Sequence, residues 1–217
     1  MRLSIASNLD IDPSELRTGK QPYLDINGPT FQIFVADALE NGSGYVRHAS
    51  EENRLYETIY DCYENLKVKW EAEDHWNCDT SCPDCLRNYG NRMQHGLLDW
   101  RLALDLCELI LGRPLNEKRW MDKAESAVDS FINLIRQFEQ GEPIKSRVGS
   151  VFTVVLNSRA LIITHPLWNQ LDGQCKDAQM LAKKQVEANY ADISCHYADV
   201  RSLILFPQNF VHRLLDQ

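Results

Sequence analysis

Three of the chain's seven cysteines fall within eight residues, as Cys78-x3-Cys82-x2-Cys85, and His75 stands three positions upstream. No other feature constrains the fold as tightly. Two thiolates separated by two residues face one ion across a tight turn, and zinc prefers such ligands. Pro83 lies inside the turn and stiffens it. A thioredoxin-like redox pair is the competing reading, but that motif opens a helix after a buried strand. Here the cysteines sit in a polar loop and a third thiol precedes the pair. Zinc is the expected cofactor, held by Cys78, Cys82, Cys85 and a fourth ligand. His75 is the nearest candidate for that position; Cys62 and His95 are the others. Four protein ligands leave no open coordination position for water or substrate, and no HExxH-type base is present. The expected metal holds the loop together rather than doing chemistry, and its binding energy is folding energy.

At 217 residues and 44% hydrophobic, the chain can bury a core as one large domain or two smaller ones. A net charge of −8 argues against a free-standing nucleic-acid binder, which needs a basic surface for phosphate. The N-terminal "MRLSIASNLDIDPSE" lacks the apolar run of a signal peptide. No window reaches 18 uninterrupted apolar residues, so no membrane partner is expected. Clustered thiols without a bridge pattern point to a reducing, cytoplasmic setting.

The pattern along the chain reads as α/β (α+β). "FQIFVADAL" (Phe31 to Leu39) is expected to be a buried strand, followed by a glycine turn. A helix is expected from about Ala49 to Trp70, with Leu55, Ile59, Cys62, Leu66 and Val68 or Lys69 on its apolar side. After the cysteine loop, "LLDWRLALDLCELILG" forms a helix with Leu102, Leu106, Leu109 and Ile110 along one side, closed by Gly112 and Pro114. Asp99 is read as its N-terminal cap. Another helix runs from about Glu117 to Glu139, with an apolar stripe of Trp120, Ala124, Ala127 or Val128, Phe131, Leu134, Ile135 and Phe138. Beyond it "SVFTVVLN", "ALIIT", "ISCHY" and "RSLILFP" read as strands, and "DAQMLAKKQVEA" as a helix. The expected organisation is a zinc-stabilised loop between long helices in residues 1–145. A small mixed α/β subdomain, or a continuation of the same domain, follows in residues 146–217.

Several polar residues carry alternative readings. Gly42 and Gly44 serve either as a plain turn or as a ligand-contacting loop. Arg87, Tyr89 and Arg92 flank the cysteines, where two cations and an aromatic ring can grip a backbone and stack a base. The two arginines can equally pair with Asp79, Asp84 or Asp99. In the tail, His165 with Lys183 or Lys184, and Cys195 with His196, lie at or near strand ends. They carry the runner-up reading, a small zinc-containing nuclease or hydrolase. The phospholipase-D-like version needs HxK, and His165 is followed by "PLW". No Walker motif or DExD/H box is present, so no enzymatic activity is expected.

Taken together, "ADALENGSGYVRH" (Ala36 to His48) and "CDTSCPDCLRNYGNRMQHGLLDWRLALDL" (Cys78 to Leu106) resemble the MrfA-type zinc-binding domain. That domain occurs at the C-terminus of DEAD/DEAH-box-like helicases in DNA repair, and of a helicase-like component of the DISARM phage-restriction system. The matching elements are the glycine turn Gly42-Ser43-Gly44-Tyr45, the CPxCL element Cys82 to Leu86, Asn91 in the polar segment, and the helix start His95 to Asp99. The resemblance covers roughly residues 25–110. It implies an accessory zinc domain without its motor, as a split subunit or part of a longer protein. The implied partner is a helicase-like motor protein, with DNA reached through the complex. The family usually has four thiolates, and this cluster has three.

Overall fold

The computed structural model describes residues 1–26, 28–39, 42–75, 77–138, 140–168 and 176–215. Among them the fold is mixed α/β, with a two-stranded and a four-stranded sheet. The chain divides into two compact units, Met1–Leu115 and Asn116–Gln217.

In the first unit, α1 (Arg2–Asn8) buries Ile5 and Ala6 with Leu16 and Ala49. Strands β1 (Leu16–Asp25) and β2 (Gly28–Asp37) pair antiparallel from Leu16↔Asp37 to Asp25↔Gly28. Burial stops at the base of this ribbon. Leu16 is 1% exposed, whereas Phe31 is 63% and Ile33 80% exposed. The Phe31–Leu39 segment is therefore a strand as expected through Asp37, but not a buried one. A two-stranded ribbon with no layer stacked on it cannot cover its own faces. Gly19 has a specific reason to lack a side chain: a Cβ there would stand 2.5 Å from the Phe34 ring across the ribbon.

The glycine turn that follows closes around one carboxylate. Gly42 and Gly44 take φ of 56° and 78°, left-handed values that favour glycine. The Asp37 side chain accepts from the backbone N–H of Gly44 (2.8 Å) and of Val46 (3.0 Å) at the start of α2 (Tyr45–Ala49). Helix α3 (Glu52–Glu71) buries Thr58, Ile59, Tyr63 and Leu66; Leu55 and Val68 of the expected stripe are exposed. Helix α4 (Trp100–Ile110) turns in by a different face than its leucines suggest. Trp100, Leu104 and Cys107 are buried with α3, while Leu106, Leu109 and Ile110 are 43%, 48% and 58% exposed. What rotates α4 is its first turn, which is bound to the cysteine loop.

In the second unit, α5 (Lys118–Arg136) buries Trp120, Met121, Ala124, Ala127, Val128, Phe131, Ile132 and Ile135. The expected stripe is present except that Phe138 is exposed; Glu139, the expected end, lies outside the described residues. The sheet runs β3 (Ile144–Val148), β4 (Val151–Leu156), β5 (Arg159–Thr164), β6 (Ser194–Asp199), with the last pair parallel and the others antiparallel. Strand β3 was not anticipated. Helix α6 (Asp177–Asn189) supplies the parallel connection. "RSLILFP" is helix α7 (Val200–Leu205), not a strand: the Asp199 carboxylate caps it by accepting from Ser202 N–H at 2.8 Å. Helix α8 (Gln208–Leu214) follows. Because α5 packs on β4 and α7, the break falls at residue 115, earlier than the expected 145.

Candidate metal centre

The cysteine segment lies over the α3–α4 core: Cys78, Cys85 and Leu86 pack against the cluster of Ile59, Tyr63, Leu66, Trp100, Leu104 and Cys107. Its path is fixed by backbone bonds. Cys78 N–H donates to the His75 carbonyl (2.9 Å), and the amides of Cys85, Leu86 and Arg87 all donate to the Cys82 carbonyl at 3.0–3.2 Å. That convergence folds Cys82–Cys85 into a knuckle in which the Cys82 amide points at Cys85 Sγ, 3.1 Å away. The sulfurs of Cys82 and Cys85 are 3.6 Å apart, and those of Cys78 and Cys85 4.0 Å.

One ligand atom each from His75, Cys78, Cys82 and Cys85 lies within 4.8 Å of the other three. His75 is 6% exposed, and neither of its ring nitrogens has a hydrogen-bond partner among the described residues. A buried imidazole left so costs about 1–3 kcal/mol per polar group, so its position calls for a ligand. Burial, then the nearby thiols of Cys85 and Cys82, push the Cys78 thiol up to about 12. Burial likewise raises Cys85. Crowded thiols hold their protons, and a divalent cation reverses that preference by compensating the thiolate charges. Three sulfurs and one imidazole form a donor set of the kind zinc takes in structural sites. The residues fit the metal.

The other candidates for the fourth position are engaged elsewhere. Cys62 packs against the cluster that contains Cys107 and accepts from the N-terminal ammonium at 3.6 Å; the neighbouring Cys107 thiol shifts Cys62 below the ordinary thiol range, while Cys107 itself is raised. His95 Nε2 lies 3.1 Å from the Asn88 carbonyl and 3.0 Å from Asn91 Oδ1. Both are acceptors, so Nε2 carries the proton.

Helix α4 and the segment before it hold the loop from the far side. The Asp99 carboxylate caps α4 by accepting from Arg101 N–H (2.9 Å). The Trp100 amide donates to the Thr80 carbonyl (2.9 Å) and its indole N–H to the Cys78 carbonyl (3.1 Å). The Arg101 guanidinium donates to the Asp79 carbonyl and stands 3.5 Å from Asp99 Oδ1, both side chains buried. The Trp100 ring meets His75 edge-on at 5.9 Å. Asn91 ties the knuckle to the next turn: it accepts from the Asn88 amide and donates to the Leu86 carbonyl. Sequence reasoning noted Asn91 and Asp99 but missed Trp100 and Arg101 as loop clamps. Their signal was available: two large side chains at the first helical positions after a cap, next to the thiols.

Of the three residues considered for nucleic-acid contact, Tyr89 and Arg92 stand together. The Arg92 guanidinium lies 4.9 Å from the Tyr89 ring centroid and donates to its hydroxyl, and Tyr89 is 82% exposed. Arg87 instead donates to the Ser81 hydroxyl (3.0 Å). Asp99, one of the carboxylates considered for the arginines, is taken by Arg101.

Of the tail residues behind the nuclease or hydrolase reading, Cys195 and His196 lie away from His165 along the sheet. His165 is fully buried at the end of β5, where Nδ1 accepts from the Leu167 amide and the ring packs by Trp120 and Trp168. Cys195 and His196 pair with Ala160 and Leu161, four to five residues back along the parallel register. At about 3.3 Å per residue that separation exceeds 10 Å. Lys183 and Lys184 lie on α6.

The Cys3His group against the packed pair α3 and α4 fits a zinc-binding module. Residues 1–86 match the family described as the MrfA Zn-binding domain. The match includes the glycine turn and all four clustered ligands and ends at Leu86, before Asn91 and the α4 clamp. Druantia protein DruE of Escherichia coli (strain UMEA 4076-1) is similar, with 29% identity over 107 residues, covering 48% of this chain. The chain matches only 5% of that curated relative's length. No solved structure gives a significant match. These findings support a zinc-binding accessory role. Among the described residues, no helix is long and apolar enough to cross a membrane.

Proposed function

We propose that the chain is a non-catalytic accessory domain or subunit of a helicase-like machine in DNA repair or phage restriction. In this reading zinc holds the 75–101 segment in shape. All four positions of the group are protein side chains, so the bound metal supplies structure and offers no open site for substrate. The carrying observation is the Cys3His group within a stretch that matches the MrfA Zn-binding domain. The relative supports a role inside a larger assembly, because the similar segment is a small fraction of that protein. The exposed Tyr89–Arg92 pair offers one stacking ring and one cation. Such a pair suits a DNA strand already held by a motor better than solitary binding by a chain of net charge −8.

The test is co-purification from the native cell. The chain is expected to recover a motor ATPase, to carry one zinc, and to turn over no ATP alone. Cys82→Ser is expected to lose both zinc and motor. Robust turnover by the isolated chain, or a folded metal-free chain that still binds the motor, overturns the proposal.

A further inference from the structure

The β1–β2 ribbon has two chemically different faces. Residues directly opposite in an antiparallel pair share a face, and the pairs alternate between faces. One set of pairs is Arg17↔Ala36, Gly19↔Phe34, Gln21↔Gln32 and Tyr23↔Thr30. This face is partly covered by its own side chains: the Phe34 ring lies over Gly19 and Gln21 donates to Gln32 at 2.9 Å, while Phe34 stays 40% and Tyr23 52% exposed. The other set is Leu16↔Asp37, Thr18↔Val35, Lys20↔Ile33, Pro22↔Phe31 and Leu24↔Pro29. This second face starts in the core at Leu16 and continues outward as apolar surface, with Leu24 75%, Phe31 63% and Ile33 80% exposed. Lys20 lies over the Phe31 ring, 5.2 Å from its centroid.

The two strand edges also differ. Pro22 and Pro29 lack an N–H and occupy pairs of the same set, so backbone groups of that set point away from the partner strand. Pro22 interrupts the outer edge of β1. On β2, the outward N–H and C=O groups of Phe31, Ile33 and Val35 form an open edge beside the apolar face.

We propose that the outer half of this ribbon is a docking arm whose apolar face and β2 edge lie in an apolar cleft of a larger protein partner. Nucleic acid does not fit, because Arg17 and Lys20 are balanced by Asp25 and Asp37 and the arm is neutral. A second copy fits poorly. Leu24, Phe31 and Ile33 expose on the order of 400 Å² per chain. Two arms face to face therefore bury well under the ~1,200 Å² of a stable interface. Self-pairing would also bring together two chains of net charge −8 each. A cleft in a larger protein can enclose the face, the edge and Ile26, which is 97% exposed just past the last pair Asp25↔Gly28, at once. The inference rests on the docking part of the function proposed above, but on a surface separate from the zinc group.

A photo-crosslinking phenylalanine analogue placed at Ile33, or at Thr30 on the opposite face, tests it with the full chain in its native cell. Position 33 is expected to crosslink to an apolar segment of a larger protein, mapped by mass spectrometry, and position 30 is not. Ile33→Asp is expected to reduce recovery of that protein at least about tenfold while zinc content stays at one per chain. Equal crosslinking from both positions, or crosslinks only to a second copy, overturns the inference. So does co-purification with a motor that neither the crosslinker nor Ile33→Asp affects, which leaves the accessory function standing. A position-33 crosslink to a large protein without a motor keeps the arm and removes the helicase reading. Absence of any partner removes both.

Discussion

Replacing His75 by Phe gives effects of opposite sign in the two metal states. The ring is 6% exposed, both nitrogens lack partners among the described residues, and its edge rests on Trp100 at 5.9 Å. Phe keeps a ring of similar size against Trp100 and removes both polar groups. In the zinc-stripped chain this relieves about 1–3 kcal/mol for each unsatisfied group, together a sizeable part of the about 5–15 kcal/mol that holds a domain folded. For a unit the size of Met1–Leu115, each kcal/mol moves Tm by about 4–8 °C, so metal-free His75→Phe is expected to melt higher than wild type. With zinc the sign reverses. Loss of a direct ligand must weaken binding by more than the about 10–100-fold that an outer-shell partner costs. The variant then loses part of the stabilisation that zinc supplies by binding only the folded chain. Competition against a chromophoric chelator and paired melts with and without zinc read both effects. Zinc affinity within about threefold of wild type, with the same Tm change in both states, would refute His75 as the fourth ligand.

Asp99→Ala is expected to cost about 1 kcal/mol for the lost α4 cap and more for stranding the buried Arg101 guanidinium. Weaker zinc retention should accompany the lower melt, because Trp100 and Arg101 hold the carbonyls of Cys78, Asp79 and Thr80; an unchanged melt would show that this clamp carries no load. His196 has its pKa lowered from 6.5, first by burial and then by Arg213 and Arg159. Its neutral form is favoured by folding, so the associated stability is present above about pH 6.5 and is lost as pH falls through the lower folded value. His196→Gln should flatten the fall in melting temperature between about pH 7 and pH 5, and parallel curves for the two proteins would discount the effect.

Much of the zinc site could be read in the sequence because its parts are local. Cys82 and Cys85 are two residues apart, and one carbonyl gathers the three amides that shape the knuckle. The Asp99 cap, the helix stripe of α5 and the β-branched apolar runs within residues 151–164 are likewise short-range patterns, set by chain geometry before any tertiary contact. The choice among His75, Cys62 and His95 was not local. In the structure His75 lies with the three thiols, Cys62 packs with Cys107 between α3 and α4, and the His95 ring lies against the Asn88 and Asn91 acceptors.

Burial followed the same division. The apolar run in β2 gave a strand, but whether another layer covers a strand depends on what packs there, and here its outer half stays open. The leucines of α4 gave a helix, yet the bonds of Trp100 and Arg101 to the cysteine loop set which side turns inward. The Val200–Leu205 run fits strand or helix by composition, and the Asp199 cap decided for helix. By itself the sequence determined the identity of the donor atoms and the local turns that present them. Tertiary structure decided which donors meet and which apolar faces stay exposed, because those outcomes depend on distances between segments that share no local hydrogen bond.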